Sequence, residues 1–286
     1  MRRMSKPPLV ASDVFNSCVA TVGDAASQAR LRAIAPTTTQ TSVHYEQLAS
    51  NQALYTLPHR SFQLHDVVIS GVTRKDFNDL YELQMVVKSK PSRRYYDELI
   101  ARAPAKKCPY CGFGHARTLD HYLPKAKFPA YSVLPENLVP ACRDCQSCKS
   151  AQVANAAGDQ ALHPYFDPNF YFTDRWLHAR VVPGAQPSIE FFVACPDNWA
   201  PDAASRVANH FEAYELGARY AVEASEELTN LGALLSIHPQ QNVNEIQAEL
   251  AAQANIERAQ FPNSWKTALY EAVSRDAWYC GGGFRL

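Results

Sequence analysis

Two cysteine pairs, Cys108-Pro109-Tyr110-Cys111 and Cys142-Arg143-Asp144-Cys145, are separated by 30 residues in a chain of 286. Each pair sets two thiolates about one tight turn apart, and two such pairs supply the four sulfur ligands of a tetrahedral, structural Zn²⁺. Gly112 and Gly114 follow the first pair and offer the backbone freedom such a turn uses. Cys148 repeats the spacing and is either a competitor for a ligand position or, more simply, a buried residue of the following helix, while Cys18, Cys195 and Cys280 are scattered and read as small buried hydrophobes. Clustered thiols in a chain of this size, with no secretory leader pattern after the basic N-terminal residues, point to metal rather than to a disulfide framework.

Between the pairs lies Thr118-Leu119-Asp120-His121-Tyr122-Leu123-Pro124-Lys125, followed by Pro135-Glu136-Asn137-Leu138-Val139-Pro140. Adjacent Asp and His on a strand point to opposite faces, because side chains alternate across it. One can then hold a metal while the other meets a water. That pairing suits one-metal phosphodiester hydrolysis: the carboxylate of Asp120 favours Mg²⁺ or Mn²⁺, and a neutral imidazole at His121 takes a proton from the attacking water.

The run CPYC…LDHYLP…PENLVPACRDC…K resembles the HNH endonuclease family over about 45 of the 286 residues. The resemblance implies an α+β protein with a ββα-metal core stapled by a four-cysteine zinc site. It makes Asp120 a ligand of the catalytic metal, His121 the general base, and Asn137 the residue that ties down the loop and orients His121. The third signature position falls at Gln146, where the family carries His or Asn as second metal ligand; Lys149, three residues on, fits the pattern. Gln146 offers the same amide oxygen one methylene further out, and His163 is an alternative accessory ligand. Arg117, Lys125, Lys127, Arg143 and Lys149 are candidates for phosphate contacts that read no sequence. The segment Leu162-His163-Pro164-Tyr165-Phe166-Asp167 is similar to one in HNH proteins of bacterial antiphage systems, Septu-like and retron-linked nucleases among them. That likeness implies DNA as substrate before RNA, and a partner such as an ATPase or a reverse-transcriptase complex.

The elements that must position these residues are mainly helical. Residues 10–35 form one or two helices that Pro36 ends. A helix starts at Thr73 with Asp76 as capping-box partner and an inner face of Phe77, Leu80, Tyr81, Met85 and Val86. Ser92 caps another helix that runs to about residue 103. Residues 176–182 and 189–194 read as strands joined at Pro183-Gly184. Beyond residue 202 the rhythm is helical, with a helix over 243–259, a break at Pro262-Asn263-Ser264, a last helix over 265–278, and a tail freed by Gly281-Gly282-Gly283. The layout divides into a helical N-terminal region (1–103), the nuclease core (104–150), strands and loop packed on it (151–200), and a helical C-terminal region (201–286).

Lys plus Arg and Asp plus Glu both number 28, so net charge is zero and indiscriminate coating of nucleic acid is not expected. The charge is uneven. Residues 105–150 carry seven basic against three acidic side chains, whereas residues 201–286 carry six against 11. A polyanion is drawn to the middle of the chain and repelled from its end. No stretch reaches the roughly 18–20 apolar residues of a membrane-spanning helix, and a cytoplasmic protein is the expectation.

Overall fold

Buried apolar side chains gather into two bodies, Arg2–Asp167 and Pro168–Leu286, the second also including Met1. The computed structural model describes residues 1–149, 153–237 and 242–285, so Ser150, the expected end of the nuclease core, lies outside them. The protein is mixed α+β, with helices and, among the described residues, three separate two-stranded antiparallel ladders. Among the described residues no helix is long and apolar enough to cross a membrane.

In the first body the chain runs α1 (Ala11–Val19), α2 (Ala25–Ile34), α3 (Thr38–Ser50), β1 (Val67–Ile69), β2 (Val72–Thr73), α4 (Arg74–Asp79), α5 (Arg93–Ala101), β3 (Thr118–His121), β4 (Leu138–Ala141) and α6 (Arg143–Lys149). Pro36 does not end the helical run. It sits in a short 3-10 turn, Ala35–Thr37, at a first-turn position where its missing N–H costs nothing, and α3 follows at once. The capping box at α4 is present as expected: Thr73 N donates to Asp76 Oδ2 (2.9 Å) and Asp76 N to Thr73 Oγ1 (3.2 Å). α4 continues as a π-helical stretch, Leu80–Met85. Ser92 does not cap α5. Its backbone is already helical, and its hydroxyl instead donates to Gln84 O (2.6 Å), closing the end of the π-helical stretch.

Helix faces from α1, α2, α4 and α5 share one core with the hairpin: Val14, Phe15, Phe77, Leu80, Tyr81 and Leu99 are buried together with Leu119, Val133 and Leu138. The helices of residues 1–103 and the segment 104–149 therefore form one body. The body boundary falls at Asp167/Pro168, within the 151–200 segment, and Tyr165 just before it donates its hydroxyl to Leu138 O of the hairpin (2.8 Å).

The second body holds α7 (Phe170–Thr173), β5 (Leu177–Val182), β6 (Ser188–Val193), α8 (Pro201–Ala213), α9 (Leu216–Ser236), α10 (Val243–Gln260) and α11 (Trp265–Arg275). The β5–β6 pairing runs in register from Leu177↔Val193 to Val182↔Ser188. Its inner residues Leu177, Ile189 and Phe191 are buried, and the Phe191 ring meets Tyr220 of α9 edge-on at 5.5 Å. The Pro262-Asn263-Ser264 break carries more than a turn. Buried Asn263 accepts from Trp176 N (3.0 Å), Leu177 N (3.2 Å) and Arg175 Nη1 (3.1 Å) and donates to Asp174 O (2.7 Å), tying the start of β5 to the start of α11. The last helix ends at Arg275 rather than 278, and the chain beyond it is not free, since Tyr279, Cys280 and Phe284 are buried.

Candidate functional site

The four cysteines converge. Cys108, Cys111, Cys142 and Cys145 are all buried and their sulfurs lie within 4.8 Å of one another, with Cys111 and Cys142 at 3.9 Å. A tetrahedron of ~2.3 Å zinc–sulfur bonds has sulfur–sulfur edges of about 3.8 Å, so the cluster can hold a structural zinc. Backbone N–H groups already point at the sulfurs, from Gly114 to Cys111 (3.3 Å) and from Cys145 to Cys142 (3.4 Å). The two glycines serve differently. Gly112 has a positive φ of 82°, whereas Gly114 supplies space, since a Cβ there would fall 2.8 Å from Cys142 Sγ. A hydrogen bond from Cys108 is the main cause pulling Cys111 down to about 7, and three neighbouring thiols depress Cys142 further. Cys148 is half-buried and outside the cluster; Cys18 and Cys280 are buried as expected, while Cys195 is only half-buried.

The cysteine cluster flanks an antiparallel ladder in which Thr118, Leu119, Asp120 and His121 face Ala141, Pro140, Val139 and Leu138. Alternation along β3 separates its two titratable residues, Asp120 and His121. Asp120 turns to Tyr110, whose hydroxyl donates to Oδ2 (3.2 Å), and His121 turns to the helical side, its ring edge-on to Tyr81 at 4.5 Å. His121 Nε2 lies 2.8 Å from Ser132 O. A carbonyl can only accept, so the proton of the neutral ring sits on Nε2 and the lone pair on Nδ1. Burial pushes the imidazole down to about 3, which keeps it neutral, with the Nδ1 lone pair unprotonated, throughout the neutral range.

Asn137 is fully buried and holds the loop between the strands closed. Its Oδ1 accepts from Leu123 N (2.7 Å), and its Nδ2 donates to Leu123 O (3.1 Å) and Tyr131 O (3.2 Å). Tyr131 precedes Ser132, whose hydroxyl donates to Phe77 O (2.9 Å), so both sides of the carbonyl that holds His121 are pinned. Asn137 acts on His121 through this loop. Tyr45 of α3 donates to Asn137 Oδ1 (3.1 Å) and stands 3.2 Å from His163 Nε2; His163 Nδ1 accepts from Tyr165 N (3.3 Å). His163 is thus a brace behind Asn137, with its ring 4.1 Å from that of Tyr122. Tyr45 and Tyr110 had no signal of their own in the sequence, one lying 92 residues from Asn137 and the other inside a zinc knuckle.

Gln146 is on the exposed side of α6, with its amide donating to Leu119 O (3.1 Å) and accepting from Thr118 Oγ1 (3.3 Å). Lys149 turns inward. Its ammonium donates to Asp120 Oδ2 (2.9 Å), His121 O (2.9 Å) and Tyr122 O (2.6 Å), so its three protons are used within the chain rather than offered to a phosphate. Burial raises the Asp120 carboxyl and lowers the Lys149 ammonium, each against the attraction of the other. Of the remaining cations, Lys125 pairs with Glu82, while Arg117, Lys127 and Arg143 have no carboxylate partner among the described residues.

The Lys149–Asp120 pair is nearly out of solvent, at 10% and 9% side-chain exposure. Lys149→Met is therefore expected to destabilise the first body by about 3–5 kcal/mol, because it strands a buried carboxylate. Urea unfolding measures this, and Asp120→Asn added to Lys149→Met should restore part of the loss. A single-variant cost below about 1 kcal/mol would place the pair among ordinary surface contacts.

No family model matches the chain, and no solved structure does. A curated relative does match along nearly all of it. Protein ea31 of Escherichia phage lambda is 31% identical over 289 aligned positions, which cover 96% of this chain and 97% of that protein. The alignment spans both bodies, with the cysteine-bracketed hairpin and the helical region after it. The chain belongs to the family of phage lambda protein ea31.

Proposed function

We propose that the chain is an HNH-type endonuclease that hydrolyses phosphodiester bonds in DNA, with β3, β4 and α6 as its ββα core. The observation that carries this reading is the His121 site: a buried, neutral imidazole whose Nε2 proton is committed to Ser132 O, on a loop tied by Asn137. Nδ1 is left to accept the proton of a water as the water oxygen bonds to phosphorus and the ester bond on its far side breaks. Asp120 is the oxygen ligand for a divalent cation, and Gln146 can join it only by leaving Thr118 and Leu119. Bound there, Mg²⁺ or Mn²⁺ supplies charge stabilisation at the phosphate and at the leaving oxygen. Lys149 shares the Asp120 carboxylate and holds the strand end through two carbonyls.

Arg117, Lys127 and Arg143 are the cations available for backbone phosphates. The first body carries 20 basic against 14 acidic side chains and the second eight against 14, so polyanion attraction concentrates where the hairpin is. By resemblance, a role in antiphage defence with an ATPase or reverse-transcriptase partner fits a chain whose second body is acidic.

The bonding of Gln146 to β3 favours a second reading, a zinc-stapled module that binds nucleic acid without cutting it. Plasmid cleavage with Mg²⁺ or Mn²⁺ against EDTA separates the two. Metal-dependent nicking or linearisation is expected, and Gln146→Asn is expected to raise the rate by up to about tenfold, since the shorter amide matches the family's ligand position. Salt-sensitive DNA binding with no cleavage by either form, at any metal concentration, would support the binding module instead.

A further inference from the structure

The second body carries a feature that the nuclease reading does not use. Helices α10 and α11 enclose a groove of about 630 Å³, within the size range of small-molecule sites. Its walls present Arg258, Gln247 and Asn255 from α10 and Arg275, Ser274 and Glu271 from α11, over a floor of three alanines. Glu271 is the sole acid of the lining, and both its oxygens are taken. Arg258 Nε donates to Oε1 (2.8 Å), Arg258 Nη2 contacts the same oxygen, and Arg175 Nη2 donates to Oε2 (2.7 Å).

Arg275 lies one helical turn beyond Glu271, is exposed, and has no carboxylate partner among the described residues. Two guanidiniums thus hold one carboxylate, and a third, on Arg275, lines the same groove, in a body whose acids outnumber its bases by 14 to eight. The guanidiniums feel one another: after burial, which is the larger cause, repulsion from Arg258 and Arg275 lowers Arg175. Arg275 also borders a neighbouring cavity of about 210 Å³ that includes His178 and Arg180. The acid beside it there, Asp276, accepts from Tyr279 N (2.7 Å) and so is held at the end of α11.

We propose that this groove binds a phosphate group, held between Arg258 and Arg275. Planar guanidiniums match phosphate oxygens two at a time. Asn255 and Gln247 add neutral donors for the remaining oxygens, and the alanine floor leaves room for the organic part of a phosphate ester. The phosphate can belong to a free nucleotide or to the end of a nucleic-acid strand. The site stands independently of the nuclease reading, since every residue in it lies between Pro168 and Leu286.

Titration calorimetry of the full chain with pyrophosphate in low-chloride buffer tests this, with Arg275→Gln as the variant. Arg275 holds no carboxylate partner, so its replacement leaves the Glu271 pairs and the fold in place. Saturable binding that Arg275→Gln weakens at least about tenfold is the expected result, in line with loss of one charge-assisted bidentate contact. Absence of saturable binding up to millimolar pyrophosphate, or equal affinity in Arg275→Gln, would overturn the proposal. Competition arms identify the source. Displacement of pyrophosphate by a nucleoside triphosphate alone assigns a free nucleotide; displacement by a 5′-phosphorylated oligonucleotide, but not its dephosphorylated form, assigns a strand end.

Discussion

Stripping zinc with a strong chelator is expected to unfold the Arg2–Asp167 body, and Cys142→Ser to do the same in the presence of metal. Structural zinc bound by four thiolates contributes on the order of 10–16 kcal/mol of apparent folding free energy at neutral pH, as much as the whole stability of an ordinary domain. The geometry explains why the loss spreads. The cysteines flank the open end of the β3–β4 ladder, where Thr118 faces Ala141, and without metal four buried thiols crowd within 4.8 Å of one another. Leu119 and Leu138 of that ladder are buried against Phe77, Tyr81 and Leu99, so a loosened hairpin opens the helical core with it. The checks are metal content by mass spectrometry, expected at one zinc per chain, and helical circular dichroism before and after chelation. An unchanged cooperative transition after complete metal removal would show that the cysteine cluster is not what holds this body together.

His121→Ala is expected to lower DNA cleavage by about 10²–10⁴-fold at saturating metal, the contribution typical of a positioned general base. The loss should appear in the cleavage rate and not in DNA affinity, because the imidazole is buried and holds no phosphate. Removing the ring also leaves space beside Tyr81, so zinc content and circular dichroism must match those of the unaltered chain for the comparison to count. Partial recovery by added imidazole would separate loss of the base from loss of structure. Cleavage at an unchanged rate would remove His121 from the chemistry, and with it the main support for hydrolysis at this hairpin.

Several elements were legible because their causes are local. Two CxxC pairs require only short turns, and the cysteines meet as four. The Thr73–Asp76 box, the β5–β6 strands and the helix over 243–260 follow from capping side chains and from periods of two and 3.6 residues, which neighbours along the chain decide. The opposite facing of Asp120 and His121 needed nothing beyond strand alternation. Pro36 misled, because a proline that breaks a helix interior is equally at home in a first turn, and residue identity does not distinguish the two places.

What the sequence by itself determined is therefore the chemistry that adjacent residues carry: a four-cysteine set able to hold zinc, a carboxylate beside an imidazole on one strand, and amphipathic helices around them. The tertiary structure decided which groups meet across long separations. It brought Tyr45 to Asn137, Ser132 O to His121, Lys149 onto Asp120 and Arg175 to Glu271, and it turned Gln146 onto the backbone of β3. The physical reason is burial. A buried donor or charge must be matched by whatever partner the packed core delivers, and that partner is set by how helices and strands distant in sequence close on one another, not by the residues on either side.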